Sequence, residues 1–146
     1  MHDEESGAPA WLERLDHPAD EMIRVQAASL PELFERVAWA MFYCITDMAA
    51  VCPATARDVQ VNAPDRDALL VRWLAELNRL HHTEGLLGAQ FRVLQLDATG
   101  LRARVSGEPM DPARHTLHAE IKGVTFHGLR IESTGTGWRA TVLFDM

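Results

Sequence analysis

Apolar residues recur along this chain with two periods, one helical and one extended. Over residues 30–48, Leu33, Val37, Met41, Cys44, Ile45 and Met48 form one stripe, with Phe34, Ala38 and Phe42 beside it. A stripe that wide predicts a largely buried α-helix. Its start is marked by Ser29, whose hydroxyl can cap free backbone N–H groups. Pro31 is tolerated in the first turn, and Glu32 is placed to reach back in a capping box. A second helix is predicted from Leu69, Leu70, Trp73, Leu74, Leu77 and Leu80, with Arg66, Arg72, Glu76 and Arg79 on its wet side. Asp65 caps its start and Gly85 ends it. His81 and His82 fall in its last turn, where a cation complements the helix dipole. The pair reads as a solvated helix end rather than a metal site.

Elsewhere the period is two. Residues 22–28 set Ile23, Val25 and Ala27 against Met22, Arg24 and Gln26, and residues 58–63 alternate in the same way. Just before the first of these strands, Pro18 makes a turn-like segment. Residues 91–97 and 101–107 predict a hairpin across Ala98, Thr99 and Gly100, with Gly100 supplying a positive φ. Glycine and prolines predict a loop over residues 107–112, and residues 117–126 and 129–132 look extended. After a turn at residues 134–137 comes a closing strand. There Trp138, Ala140, Val142 and Phe144 face one way, and Arg139, Thr141, Leu143 and Asp145 the other. Two helices followed mostly by strands predict an α+β fold: a mixed or mostly antiparallel sheet with two main helices packed on one face.

Length and composition narrow the class. A chain of 146 residues suits one domain, here residues 12–146 after an acidic leader, residues 1–11, read as disordered. The leader has no apolar core and is no secretory signal. The longest apolar run, residues 37–45, is too short to span a bilayer, so no membrane partner is expected. Cys44 and Cys52 lack a CxxC spacing and suit free thiols in a reducing cytoplasm. Net charge is −7, with Lys122 the one lysine. No Lys/Arg cluster is visible along the sequence, so direct, tight nucleic-acid binding is not expected. An acidic chain more readily meets cations or a basic protein surface.

Candidate chemistry gathers at the end of the chain. The carboxylate of Asp145 and the α-carboxylate of Met146 stand side by side, and close anions repel unless one is protonated or a cation lies between them. Such a terminus either reaches solvent or helps to hold a cation. In the block of Glu120, Ile121, Lys122, Gly123, Val124, Thr125, Phe126 and His127, strand geometry puts Lys122 on a face with Val124 and Phe126. A lysine there either pairs with a carboxylate, from Asp20, Glu21, Glu108 or Asp145, or snorkels out. His127 could be a base, a ligand or a hydrogen-bonded core histidine, and the last is the default. There is no P-loop, GxGxxG, GxSxG or HExxH pattern, and neither cysteine has a neighbouring base. Local motifs indicate no enzyme.

Taken together, several segments resemble the archease family. They are His17, Pro18, Ala19 and Asp20; Leu33 and Phe34 on a capped helix; Leu69, Leu70, Trp73, Leu74, Glu76 and Leu77; Gly107, Glu108 and Pro109; the block from Glu120 to His127; and Trp138, Phe144, Asp145 and Met146. The resemblance runs over residues 12–146. It departs from the family pattern at Pro18, where Thr is usual, at Gly123, where Ala is usual, and at Phe126, where Tyr is common. It implies a non-catalytic accessory protein of the tRNA-splicing type RNA ligase, which joins ends bearing 3′-phosphate or 2′,3′-cyclic phosphate. The protein would promote guanylylation and multiple turnover of that ligase. It also implies a divalent cation, Ca²⁺, Mg²⁺ or Mn²⁺, held by Asp20, Asp145 and the Met146 carboxylate, with His17, Lys122 and His127 in support. Oxygen donors fit these hard cations. Two other readings stay open: a metal-dependent phosphoester-cleaving enzyme, and a general chaperone of RNA-modifying enzymes.

Overall fold

The computed structural model describes residues 7–15 and 20–146. Among them the chain order is β1 (Leu12–Leu15), β2 (Asp20–Ala27), α1 (Leu30–Ile45), β3 (Thr55–Asn62), α2 (Arg66–Glu84), β4 (Leu86–Leu96), β5 (Gly100–Pro109), β6 (Gly123–Ser133) and β7 (Trp138–Asp145). The strands form two sheets, ordered β1-β2-β7-β6 and β3-β5-β4. Every pairing is antiparallel. The fold is α+β as expected, with two sheets where one was expected.

Each helix lies across both sheets. The first packs on β2 and β4, the second on β6 and β3. The wide stripe is used as far as Ile45, where α1 ends: Leu33, Phe34, Val37, Met41, Phe42 and Ile45 are all completely buried, whereas Met48, expected on the same stripe, falls in a separate 3₁₀ turn and is half-buried. Phe42 stacks on Phe91 of β4 at 5.7 Å between ring centres. Trp73 of α2 is also fully buried, and its indole N–H donates to the Phe34 carbonyl at 3.0 Å. Burying that ring without a hydrogen-bond partner would leave the indole N–H unsatisfied; here one bond solves this and clamps the two helices together. The caps are those the sequence offers. The Ser29 hydroxyl accepts from the Glu32 N–H at 3.3 Å, and the Glu32 carboxylate accepts from the Ala28 N–H at 2.8 Å. Asp65 caps α2, and Gly85 ends it with φ 72°.

Several expectations are corrected. Strand β1 was not foreseen; it is short and alternates poorly, and its pairing with β2 defines it. Trp11, at the end of the expected leader, packs edge-on against Trp39 at 5.5 Å, and its other leader neighbours, residues 1–6, lie outside the described residues. Gly100 has no positive φ; among the described glycines only Gly85 and Gly128 do. The hairpin turn is closed instead by Asp97, whose carboxylate accepts from the Thr99 N–H at 3.0 Å. The loop expected over residues 107–112 begins later, because β5 runs on through Gly107, Glu108 and Pro109. Gly107 is a strand glycine by close approach, since a Cβ there would meet the Leu87 carbonyl oxygen at 2.0 Å. Residues 117–122 are irregular rather than a strand, tied down where the Thr46 hydroxyl donates to the Thr116 carbonyl at 2.7 Å.

Glu108 serves the fold. Only 8% exposed, it accepts from the Cys52 N–H at 2.7 Å and from His115 Nε2 at 2.9 Å, and it pairs with Arg114. His115 Nδ1 accepts the Asp111 N–H at 2.9 Å, so the ring proton sits on Nε2. One carboxylate thus ties residues 52 and 111–115 to β5. The Cys52 N–H, then His115 and Arg114, hold its pKa below the ordinary 4.5, against the opposing effect of desolvation.

Two predictions follow from this packing. Gly107→Ala should destabilise the fold by about 2–3 kcal/mol through overpacking against backbone, while Gly135→Ala, with nothing within 4 Å of its Cβ, should stay within about 0.5 kcal/mol of the parent. Urea midpoints at constant slope measure both; equal midpoints would refute the close approach. For Glu108→Gln the signature is pH dependence. A carboxylate with a depressed folded pKa stabilises the fold above its unfolded value, and that contribution is lost as pH falls through the folded pKa. The stability gap between parent and variant should therefore be widest at neutral pH and close in acid. A gap that does not vary with pH would contradict the depressed pKa.

Candidate metal and partner site

Strand register decides the site. With β2 and β7 antiparallel, Ile23 pairs with Val142 and Val25 with Ala140, and all four are buried. The same register sets Asp20 directly opposite Asp145. Directly opposed residues share a face, and these two lie on the side away from Val142 and Phe144. Asp145 is exposed, while Asp20 and Met146 are half-buried. The Met146 side chain packs against the core, which fixes the end of the chain beside the pair. On the far side of β7, Gly123 stands opposite Asp145, and the Lys122 N–H donates to the Asp145 carbonyl at 2.7 Å.

The site therefore gathers Asp20, Asp145, Met146 and Lys122, although these residues are far apart in sequence. Like charges directly opposed across a ladder destabilise it unless a counter-charge lies between them. Among the described residues no three His, Cys, Asp or Glu side chains cluster so as to hold a metal. Two side-chain carboxylates are present, and a third would come from the Met146 terminus. This all-oxygen, anionic donor set fits Ca²⁺, Mg²⁺ or Mn²⁺ and does not suit zinc.

Other expectations sort themselves around this row. Lys122 is exposed and precedes β6, so it is not embedded among apolar side chains. Of its four candidate partners, Glu21 is engaged by Arg14 at 2.6 and 2.9 Å, and Glu108 belongs to the cluster around His115. Among the described residues neither Asp20 nor Asp145 forms an ion pair with it; only its backbone N–H meets Asp145, and its side chain extends into solvent. His127 is no core histidine: it is exposed, with its N–H donating to the Thr125 hydroxyl at 2.9 Å. His17 lies outside the described residues. The solvated reading of the histidine pair also fails in part. His81 is buried, with Nδ1 at 2.9 Å from the Leu86 carbonyl, and His82 Nε2 lies 3.0 Å from the Ile121 carbonyl. His81 thus holds the start of β4, and His82 the irregular segment before β6. Burial lowers the His81 pKa.

A bulge frames the site. Residues 126–129 of β6 stand opposite Val142 alone, between the Thr125–Leu143 and Arg130–Thr141 pairs. Gly128 has φ 72°, and a Cβ there would lie 3.5 Å from Met22 Cε, on the strand beyond β7. The bulge thus folds over the outer face, and Leu143, expected to be wet by alternation, is only 3% exposed. Thr125, which braces the bulge, was not singled out in the sequence. The one signal was Gly128, an isolated glycine within a strand pattern.

The fold is that of a known family. The Archease protein family model matches residues 12–146, and the chain belongs to that family. It is 38% identical over 138 residues to the protein archease of Methanosarcina acetivorans, covering 92% of this chain and 94% of that one. Against the protein archease of Methanopyrus kandleri it is 34% identical over 137 residues, covering 92% and 98%. The solution structure of Methanobacterium thermoautotrophicum protein 1598 superimposes with a TM-score of 0.81 at 34% identity, covering 93% of this chain and 99% of that one. The crystal structure of an archease from Thermotoga maritima, described as a possible chaperone, shares the fold at a TM-score of 0.57 and 17% identity, covering 92% and 96%. No helix among the described residues is long and apolar enough to cross a membrane.

The carboxylate row makes a prediction with two opposite signs. Asp20→Asn and Asp145→Asn should each weaken Ca²⁺ and Mn²⁺ binding, because each keeps the shape while removing a charge from a hard-cation site. Amidation of the Met146 carboxylate should weaken it less. Neither Asp145→Asn nor the amidation should destabilise the metal-free fold, since each relieves repulsion at the strand end. Calorimetric titration beside metal-free melting curves reads both. Unchanged affinity in both Asn variants would dismiss the metal site, and unchanged affinity after amidation would remove the terminus from it.

Proposed function

We propose that this protein is a non-catalytic accessory factor that activates an RNA ligase of the tRNA-splicing type, using a divalent cation held at Asp20, Asp145 and the Met146 carboxylate. The observation that carries the reading is the cross-strand pairing of Asp20 with Asp145, beside Lys122, in a chain that belongs to the Archease family from residue 12 to its last residue. The bound cation would supply positive charge for phosphate oxygens or for a carboxylate of the partner. The chain's own residues do the rest. Asp20 and Asp145 position the oxygen donors from two rigid strands, and the Met146 side chain anchors the terminus. Lys122, exposed beside Asp145, offers a mobile ammonium to a phosphate or acidic group brought by the partner. The pair lies at a sheet end with Asp145 and Lys122 exposed, which suits approach by another protein.

The rival reading, a metal-dependent phosphoester-cleaving enzyme, would use the same carboxylates with His127 as general acid/base. Turnover of a phosphoester by this protein alone with Mn²⁺ would favour the rival.

Adding the protein to its cognate ligase should increase transfer of labelled GTP to the ligase and convert single-turnover ligation to multiple turnover. Lys122→Met should impair this stimulation more than Lys122→Arg, with melting temperature unchanged in both because the side chain is exposed. A GTP-transfer yield that stays flat across a titration of the protein would refute the reading; equal stimulation by both lysine variants would refute the role of the charge.

A further inference from the structure

The three-stranded sheet has an outer face that the sequence does not announce. Leu101, Ala103 and Val105 of β5 are buried, so Arg102, Arg104 and Ser106 turn outward. Register then assembles rows across the sheet. Gln60, Arg102 and Gln95 form one row, Asp58, Arg104 and Arg92 the next, and Ala56, Ser106 and Gln90 a third. Rows on one face are about 7 Å apart along the strands, and neighbouring strands about 4.8 Å apart. Arg92, Arg102 and Arg104 are all exposed. Three guanidinium groups therefore share a small flat area.

That arrangement has no structural need. Arg92 and Arg104 are directly opposed, and like charges so placed destabilise a ladder. Asp58 compensates one of them, with its Oδ1 at 3.3 Å from Arg104 Nε, but the two side chains are 55% and 56% exposed and such a pair is weak. Among the described residues neither Arg92 nor Arg102 has an ion-pair partner. Solubility does not require the charge either, since the chain already stands at −7.

The side chains on the face indicate its occupant. Arginine, glutamine, asparagine and serine are the donors that meet phosphate and sugar oxygens in nucleic-acid complexes. The outward positions carry no aromatic ring on which a base could stack. The one large apolar side chain nearby is Leu94, 37% exposed at the irregularity in β4. A protein partner would find no buried anchor there. At the end of the face an open depression is lined by Gln60, Asn62, Gln95, Asp97 and Arg102.

We propose that the outer face of the β3-β5-β4 sheet, through Arg92, Arg102 and Arg104, holds the phosphate backbone of a single-stranded RNA without reading its sequence. The choice of RNA rests on the proposed ligase role; the phosphate contact rests on the face alone. Binding is weak and strongly salt-dependent, because three contacts oppose a net negative chain.

Fluorescence anisotropy of a labelled single-stranded RNA with the full-length protein tests this. Three phosphate contacts should weaken binding roughly twentyfold between about 50 and about 200 mM salt. The Arg92→Gln/Arg102→Gln/Arg104→Gln variant should lose binding with an unchanged melting curve, and Asp58→Asn should tighten it. No binding by the parent at low salt, salt-independent binding, or parent-like binding by the triple variant would overturn the proposal. So would binding of a polyglutamate peptide with no binding of RNA. A ligase-guanylylation assay without RNA separates the two readings: the triple variant should stimulate it as the parent does, and loss of stimulation there would make the face a protein-docking surface instead. RNA binding lost in the triple variant upholds the proposal even where the ligase itself does not respond to the protein.

Discussion

The register between β2 and β7 is the constraint on which the rest of this molecule depends. Side chains alternate with a period of two, so a slip of one residue would turn Ile23, Val25, Val142 and Phe144 out and carry polar side chains in. All four apolar residues are completely buried. Burial of one face therefore fixes the pairing, and the pairing forces Asp20 and Asp145 together on the other face whatever their mutual repulsion. At roughly 1.5–3 kcal/mol for each large apolar side chain buried, the core easily outweighs one like-charge pairing at the strand ends. The carboxylate row persists because the core holds it there.

The helices extend this logic to the whole domain. Each lies across both sheets, so the inner faces of both sheets are spent on one core, while the outer face of the four-stranded sheet is partly covered by the bulge over Leu143. The two outer faces differ, although each carries both signs of charge, with Arg24 and Arg130 on one and Asp58 on the other. The four-stranded sheet presents a carboxylate row at one end, overhung by the bulge at residues 126–129. The three-stranded sheet presents arginines and amides.

Much of the framework was legible in the chain. Both helices and their caps at Ser29 and Asp65, the stop at Gly85, and the closing strand follow from local rules about period, capping and turn chemistry. These rules act within a few residues, so sequence is enough. Misreadings fell where distant backbone intervenes. Gly107 looks like loop punctuation, yet it is a strand glycine because the Leu87 carbonyl passes too close for a side chain. Gly100 looks like the positive-φ residue of its turn, yet Asp97 closes that turn. Lys122 and His127 were placed on alternating faces of one continuous strand, and the late start of β6 and its bulge removed the alternation.

The sequence by itself determined the class of the protein, the ends of its helices and the identity of the acidic residues, since these depend on residue type and near neighbours. It could nominate Asp20 and Asp145 only through family resemblance, because 125 positions separate them in the chain. Only the tertiary structure decided that they stand opposite one another, that Glu21 and Glu108 are committed elsewhere, and that Arg92, Arg102 and Arg104 share a face. Register is a long-range property. It is set by which side chains the whole core can bury at once, and no window of the chain contains that information.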